Sequence, residues 1–336
     1  MTIVFLGLLY PTYFEKAMNK ICFYSLLAIS VVLLGCKTSK LESTPEKIEP
    51  EIFKDYYSLS DFPGAIHWSR AADPEIPLVS AHRGRPELKG YVENSLESIE
   101  KLINSGSFIL ELDVAKSKDG VLFLFHDNEL DRLTRNQGLA NQRTWAELDT
   151  MRLIDKDGNL SNATIPSLEE ALLLARGKAM FTLDRKQDVP LAEISAVAKT
   201  LNMLPDVALI LYDIDDFTEW ANQESVGPIS HEAKDVLDVE QLAQRSRELY
   251  KQVGISPFKE EGLFPNSGFL GVGIPDKKLL AVAKTLGIKA VVGTFGDLDQ
   301  RAVATDGRTY RELAKQGASI IATNNPLLAH KALYGG

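Results

Sequence analysis

From about Pro74 onward, short apolar runs alternate with segments of helical periodicity. This alternation is typical of parallel strands that are joined by helical crossovers. Eight parallel strands are the number that closes a (β/α)₈ barrel, so we predict an α/β protein of the TIM-barrel class, with a doubly wound open sheet as the alternative. The predicted strands are residues 77–81, 108–114, 121–125, 179–183, 207–212, 269–274, 289–294 and 319–323.

Two stretches of the chain are harder to interpret. Residues 128–165 are polar and irregular, and we expect them to form a long excursion on the face where the strands end. Residues 225–265 show no periodicity from which an element can be predicted. Before the predicted helix that follows the first strand, Asn94 is a suitable N-cap, with Glu97 three residues later.

Charge and cysteine content exclude several classes of protein. The formal net charge is −9, which argues against nucleic-acid binding, because that function needs a basic surface. A site for an anionic substrate would have to supply its own positive charge from Arg, Lys or a metal ion. The only cysteines, Cys22 and Cys36, both precede the predicted barrel, so the barrel can hold neither a disulfide nor a Cys-ligated zinc ion.

The N-terminal segment is typical of an export signal. Residues 21–34 form an almost wholly apolar stretch of 14 residues, which is short for a membrane span and suitable for the apolar region of a signal peptide. The stretch ends in Leu-Leu-Gly-Cys and resembles a bacterial lipobox, which predicts lipidation of Cys36. An uncleaved membrane helix is the alternative. We therefore expect an exported, membrane-anchored bacterial lipoprotein, with Met18 as an alternative start.

The predicted organisation has three parts. Residues 1–36 are the lipoprotein signal peptide, residues 37–73 are a polar tether, and residues 74–336 are a single catalytic barrel domain.

Polar side chains lie at the ends of four successive predicted strands. Active groups of parallel barrels lie at the carboxyl ends of the strands, so these side chains are the candidates for chemistry. Taken one at a time, each has an ordinary structural explanation, but their shared position favours a common site. They are His82 and Arg83 after the first strand, Glu111 and Asp113 on the second, His126 after the third, and Asp184 and Lys186 after the fourth.

The spacing of the acidic residues predicts a cation site. Glu111 and Asp113 are two residues apart on a strand, so their side chains face the same side. Two carboxylates in one mouth repel each other unless a positive charge lies between them, and a divalent cation with oxygen ligands meets that need. Asp184 could supply a third oxygen, with the Lys186 ammonium beside the ion.

These motifs resemble the glycerophosphodiester phosphodiesterase family. The resemblance is carried by His82-Arg83-Gly84, by Glu93-Asn94-Ser95, by the run ILELDVAKSKDGVLFLFHDNELDRLT from Ile109 and by IPSLEEAL from Ile165. The order and spacing match from Ser80 to about Lys186. The family has a (β/α)₈ barrel, in agreement with the strand count.

The resemblance also implies roles for individual residues. Glu111, Asp113 and Asp184 would hold one divalent cation, with calcium preferred over magnesium. His82 and His126 would be the general acid and base, in an order that the sequence leaves open. The residues implied in substrate binding are Arg83 and Lys186, as phosphate ligands, and Glu93, as a supporting group.

The implied activity is metal-dependent hydrolysis of glycerophosphodiesters to sn-glycerol 3-phosphate and an alcohol. Two alternatives remain: a phosphodiesterase that acts on phospholipids such as phosphatidylinositol or sphingomyelin, and a non-catalytic surface lipoprotein that binds phosphodiesters. The expected partners are a small phosphodiester substrate and a membrane, reached through Cys36. We expect neither nucleic acid nor an obligate protein partner.

Three positions depart from the family pattern. The third acidic residue, often Glu in the family, is Asp184. The seventh predicted strand lacks the usual Trp and ends in Gly293-Thr294, followed by Phe295. Phe295 could line the substrate mouth, but core burial is the favoured role. The eighth ends in Thr323-Asn324-Asn325-Pro326, where the family commonly has T-D-x-P.

Overall fold

A computed structural model describes residues 77–186, 189–211, 227–232, 244, 269–272, 277–285 and 289–335 of this chain. The predicted signal peptide and tether, including Cys36, lie outside these residues. Among the helices of the described part, none is long and apolar enough to cross a bilayer.

The strands are β1 (Leu78–Ala81), β2 (Ile109–Lys116), β3 (Leu122–Leu124), β4 (Arg152–Ile154), β5 (Leu160–Thr164), β6 (Met180–Arg185), β7 (Val207–Leu211), β8 (Gly227–Glu232), β9 (Phe269–Val272), β10 (Lys289–Gly293) and β11 (Ala318–Thr323). The helices are α1 (Leu96–Ile103), α2 (Trp145–Leu148), α3 (Leu168–Leu174), α4 (Leu191–Thr200), α5 (Lys277–Thr285), α6 (Asp297–Ala304), α7 (Arg308–Lys315) and α8 (Pro326–Tyr334).

Eight strands close into a parallel barrel. Their order is β1-β2-β6-β7-β8-β9-β10-β11, and β11 pairs with β1 to complete the ring. Every pairing around this ring is parallel. The prediction of an α/β barrel of the TIM class is therefore confirmed, and the carboxyl ends of the eight strands meet at one rim.

Two strand assignments were wrong although the predicted number was right. The third predicted strand, residues 121–125, is not part of the ring, because β3 pairs antiparallel with β2 as a hairpin. A parallel crossover needs about a dozen residues, and the turn between β2 and β3 is far shorter. The missing barrel strand is β8, which lies in the stretch where no element was predicted. Its sequence, GPISHE, has almost no apolar run to reveal it.

The hairpin explains how His126 reaches the active rim. β2 is eight residues long and extends beyond the rim, and β3 then returns along it, so that Leu124 pairs with Val114. The backbone N–H of Phe125 donates to the Asp113 carbonyl at 3.0 Å. The β2–β3 hairpin therefore places His126 near Asp113, and no barrel strand leads directly to this histidine.

The polar stretch 128–165 forms a small substructure above this rim. It contains α2 and the antiparallel β4–β5 pair, and it has its own buried cluster. That cluster includes Phe123, Phe125, Leu130, Leu148 and Ile165. Because this core is separate from the barrel core, the substructure can hold polar side chains over the barrel mouth without disturbing the barrel.

The start of α1 differs from the prediction. The N-cap is Ser95, whose hydroxyl accepts the backbone N–H of Ser98 at 3.3 Å, and not Asn94. Asn94 adopts a positive φ of 56° and turns its side chain toward the barrel mouth, where it contacts Asp113. Asn tolerates the left-handed region better than most residues, which suits it to this position.

Candidate active site

Three carboxylates meet at the mouth of the barrel. Glu111 and Asp113 lie on the same face of β2, and Asp113 is the direct register partner of Asp184 on β6. One oxygen from each of the three side chains lies within 4.8 Å of the others. The spacing within one strand and the parallel register between two strands thus produce a cluster of oxygen ligands.

The negative charges of the three carboxylates repel one another. Burial raises the pKa of Glu111 well above its ordinary value, and the charges of Asp113 and Asp184 raise it further. Lys186 offsets part of this charge, since its ammonium lies 2.7 Å from an oxygen of Asp113 and 2.7 Å from one of Asp184. Burial lowers the pKa of Lys186, but the two carboxylates outweigh it, and the net shift is upward.

The ligand set fits a hard divalent cation. All three groups are carboxylates, and calcium and magnesium both prefer oxygen ligands. Asp113 and Asp184 are buried and Glu111 is partly buried, so the charges are poorly screened by water. A cation among these oxygens would relieve the repulsion that raises the pKa of Glu111.

The His-Arg-Gly turn after β1 directs its backbone at the cluster. Arg83 has a positive φ of 55°, and its backbone N–H donates to Glu111 Oε2 at 2.7 Å. Gly84 also has a positive φ, of 57°, and a Cβ there would lie 2.7 Å from a methyl carbon of Leu112. Only glycine combines this conformation with so close an approach, which explains the third position of the motif.

Glu93 links the guanidinium groups above the mouth. Its Oε1 accepts bonds from Arg83 at 2.8 Å and from Arg132 at 2.7 Å, and Arg85 lies 3.6 Å from Oε2. Burial raises the pKa of Glu93, but the hydrogen bonds and charges of Arg132 and Arg83 bring it below its ordinary value. Glu93 is therefore held as a carboxylate and orients Arg83.

Asn94 supports the cluster from the side. Its amide nitrogen donates to Asp113 Oδ2 at 2.7 Å, and its oxygen accepts the backbone N–H of Asp113 at 3.1 Å. The pair of bonds fixes both the backbone and the carboxylate of Asp113. The sequence signal for this role of Asn94 is its place in Glu-Asn-Ser, and the predicted role as a helix cap was wrong.

His126 is held by a carboxylate. Its Nδ1 lies 2.6 Å from Asp127 Oδ1, and Asp127 also bonds to Arg132. Burial raises the pKa of Asp127, yet the hydrogen bonds from Arg132 and His126 lower it to about 2. Because Arg132 also bonds to Glu93, a continuous polar network runs from His126 to Arg83.

His82 is held by neutral groups. Its Nδ1 lies 2.8 Å from the amide oxygen of Asn324, the residue that follows β11. The ring of Phe295 packs on it with centroids 4.2 Å apart, and Phe295 is 47% exposed, so core burial of this residue was wrong. Burial lowers the pKa of His82; the Asn324 bond opposes this shift, and the Arg83 charge adds to it.

A cavity of about 360 Å³ lies beside Glu93. It is bounded by the loop after β1 and by the substructure of residues 128–165. Its walls combine apolar side chains with charged side chains of both signs, among them Leu88, Tyr91, Ile154, Arg85, Arg132, Lys156, Glu87 and Asp155.

A profile of the glycerophosphoryl diester phosphodiesterase family matches residues 82–252, about half of the chain. The chain belongs to this family. Membership confirms the resemblance seen in the sequence, and the match begins at His82.

Curated relatives of this phosphodiesterase family member share about one third of the aligned residues. A glycerophosphodiester phosphodiesterase of Arabidopsis thaliana is 33% identical over 133 residues, which are 38% of this chain and 39% of the relative. One from Bacillus altitudinis is 36% identical over 115 residues, which are 32% and 43% of the two chains. The alignments thus span about two fifths of the length of these relatives.

Solved structures of family members extend the likeness over most of the chain. A glycerophosphoryl diester phosphodiesterase from Parabacteroides distasonis has a TM-score of 0.65 at 29% identity, and the match covers 80% of this chain and 89% of that one. An Oleispira antarctica phosphodiesterase, solved in complex with the product sn-glycerol-3-phosphate, has a TM-score of 0.56 at 20% identity, over 78% and 98% of the two chains. The second likeness concerns the fold alone.

The raised pKa of Glu111 predicts how stability depends on pH without metal. The folded state binds the extra proton above the ordinary pKa of 4.5, so the associated stability is complete below that pH and is lost as the pH rises. With chelator present, we expect Glu111→Gln to melt at a higher temperature than wild type, by a margin that widens from about pH 5 to about pH 8.

Differential scanning fluorimetry across this pH range measures the effect. Glu129→Gln, which neutralises an exposed carboxylate three residues after His126, is the matched control and should follow the wild-type curve. A Glu111→Gln protein that melts below wild type throughout the range would contradict the electrostatic account.

Proposed function

We propose that this chain is a metal-dependent phosphodiesterase that hydrolyses glycerophosphodiesters to sn-glycerol 3-phosphate and an alcohol. The observation that carries the proposal is the convergence of Glu111, Asp113 and Asp184, with Arg83 and Lys186 beside them. A cluster of anionic ligands flanked by two cationic groups suits a cation and a phosphodiester together. Membership of the glycerophosphoryl diester phosphodiesterase family supports a glycerophosphodiester as the substrate.

The proposed cofactor is one divalent cation, with calcium preferred over magnesium. Calcium accepts six to eight oxygen ligands in a flexible arrangement, which suits three carboxylates that can each bind through one or both oxygens. When bound, the ion would act as a Lewis acid that stabilises charge on the phosphate.

Arg83 and Lys186 are the proposed phosphate ligands. The Nε–H of Arg83 is buried and makes no hydrogen bond within the described part of the chain, although Asp113 Oδ2 lies 3.9 Å away. An Arg fork can donate two parallel bonds to phosphate oxygens, and Glu93 already orients this fork. Lys186 would contribute a point charge from the other side of Asp113.

The two imidazoles are proposed as proton carriers. Burial and the Arg83 charge favour the neutral ring of His82, which can accept a proton from the attacking water molecule. The Asp127 carboxylate forms an ion pair with His126 when that ring is protonated, which suits it to donate a proton to the departing alkoxide. The P–O bond to the alcohol breaks as the new P–O bond forms, and the two proton transfers balance.

The cavity beside Glu93 is the proposed site of the alcohol. Its walls combine apolar side chains with charged side chains of both signs, which can pack against and hydrogen-bond to a polar alcohol of moderate size, such as glycerol or inositol.

Anchoring through Cys36 is proposed from the sequence alone. The apolar stretch that ends in Leu-Leu-Gly-Cys supports an exported bacterial lipoprotein, tethered at the membrane by residues 37–73. Two measurements test this proposal. In membrane fractionation, wild type should sediment with the membranes. In labelling with a radioactive fatty acid, wild type should be labelled and Cys36→Ala should not. Equal labelling of both proteins by a radioactive fatty acid would exclude lipidation at Cys36.

A substrate panel tests the activity itself. We expect release of sn-glycerol 3-phosphate from glycerophosphodiesters with calcium or magnesium, and loss of release with chelator. Hydrolysis of intact phosphatidylinositol or sphingomyelin in preference to deacylated substrates would favour the phospholipid alternative. Binding of phosphodiesters without turnover of any of them would favour the non-catalytic surface lipoprotein. Full activity after complete metal removal would refute the metal requirement.

The same assay separates the roles of the two histidines. We expect His82→Ala and His126→Ala each to lower turnover of glycerophosphocholine by about 10²- to 10⁴-fold with folding retained. A nitrophenyl phosphodiester has a leaving group that departs without a proton, so His126→Ala should lose much less activity on it, whereas His82→Ala should lose both activities. The reverse pattern would exchange the two roles, and near-normal turnover would remove that residue from the mechanism.

A further inference from the structure

A buried carboxylate lies beneath the end of β11, and the proposed chemistry does not use it. Asp299 on α6 is 5% exposed. Its Oδ1 accepts hydrogen bonds from the hydroxyls of Thr294 at 2.6 Å, Thr323 at 2.6 Å and Tyr310 at 3.1 Å. Its Oδ2 accepts the backbone N–H of Asn324 at 3.0 Å. A buried carboxylate is tolerated where donors surround it, and these four donors are all neutral.

Two of these four bonds lead directly to His82. Asn324, held at its backbone by Asp299, places its side-chain oxygen 2.8 Å from His82 Nδ1. Thr294, held at its hydroxyl by Asp299, precedes Phe295, which packs against the imidazole ring. The edge and the face of one imidazole are therefore both contacted by segments that are fastened to the same carboxylate.

The chemistry of an amide oxygen then decides which ring nitrogen carries the proton. An amide oxygen can only accept a hydrogen bond, so Nδ1 of His82 must be the donor. A neutral imidazole has one donor and one acceptor, which leaves the lone pair on Nε2. An amide oxygen fixes this tautomer without adding a negative charge beside the ring.

We propose that Asp299 is a positioning residue that fixes the tautomer and orientation of His82 through Asn324 and Phe295. The catalytic consequence rests on the proposed function, because the orientation of His82 matters to turnover only if its Nε2 exchanges a proton with the reactants. A ring with the wrong tautomer presents an N–H where a lone pair is needed. A misplaced proton carrier lowers turnover by about 10- to 100-fold.

A merely structural role for Asp299 predicts something different. The carboxylate joins the ends of β10 and β11, and its removal would lower the melting temperature in either case. Only a positioning role also changes the protonation pattern of one distant imidazole. The tautomer of His82 is therefore the measurement that distinguishes a positioning role from a structural one. Stability or turnover alone does not distinguish them.

Nitrogen-15 NMR of the full chain labelled at its histidine rings reads that tautomer. At about pH 8, where a ring with an ordinary pKa is neutral, the shifts of the two ring nitrogens show which one is protonated. The His82 signals are identified by their loss in His82→Gln. We expect one form in wild type, protonated at Nδ1, and a mixture of both tautomers in Asp299→Asn. Asp297→Asn, an exposed change on the same helix, is the matched control and should match wild type.

Asn324→Ala keeps the test decisive if Asp299→Asn does not fold. It leaves the buried Asp299 carboxylate in place and removes only the amide oxygen that accepts from His82 Nδ1. This variant should therefore also give a mixture of both His82 tautomers. In kinetics with glycerophosphocholine, Asp299→Asn should lower kcat by about 10- to 100-fold and leave KM within about threefold.

The outcomes are separable from those of the proposed function. A single Nδ1-protonated form in both variants would overturn the inference, as would a loss of kcat in Asp299→Asn with the wild-type tautomer retained. If the variants shift the tautomer but wild type hydrolyses no glycerophosphodiester, the positioning of His82 is supported and the proposed function fails.

Discussion

Three carboxylates within 4.8 Å of one another cannot all remain charged in a barrel mouth without positive charge beside them. At an effective dielectric constant of about 20, two unit charges about 4 Å apart repel by about 4 kcal/mol. Lys186 offsets this repulsion for Asp113 and Asp184, whereas Glu111 responds by a raised pKa. The strand pairing that places Asp113 beside Asp184 thus concentrates negative charge at the barrel mouth. Bound cations stabilise this charge, and this requirement determines what the mouth can bind.

The residues around this cluster are arranged to balance the same negative charge. The turn after β1 aims the backbone N–H of Arg83 at the cluster, and Glu93 holds the Arg83 guanidinium over it. Asn94 fixes Asp113 from the side. Each of these residues compensates or orients a charge in the layer below. The motif residues are therefore one electrostatic unit that is assembled from separate loops, and a change in any one of them alters the environment of the others.

The features that local rules govern were predictable from the sequence. The two-residue spacing of Glu111 and Asp113 implies a shared face, and the strand–helix alternation implies a barrel. Features that depend on distant partners were not predictable. β8 lacks an apolar run, so only its neighbours in the ring identify it. The bond between His82 and Asn324 joins residues 242 positions apart, and no local pattern specifies it.

The most direct test of the account is the position of a bound cation. A crystal soaked with Mn²⁺, whose anomalous scattering locates the ion, should show one peak about 2.0–2.6 Å from an oxygen of each of Glu111, Asp113 and Asp184. The Lys186 ammonium should have moved away from at least one of its two carboxylates. No peak at this cluster in a crystal that binds the ion elsewhere would contradict the account, as would an ion held by other residues.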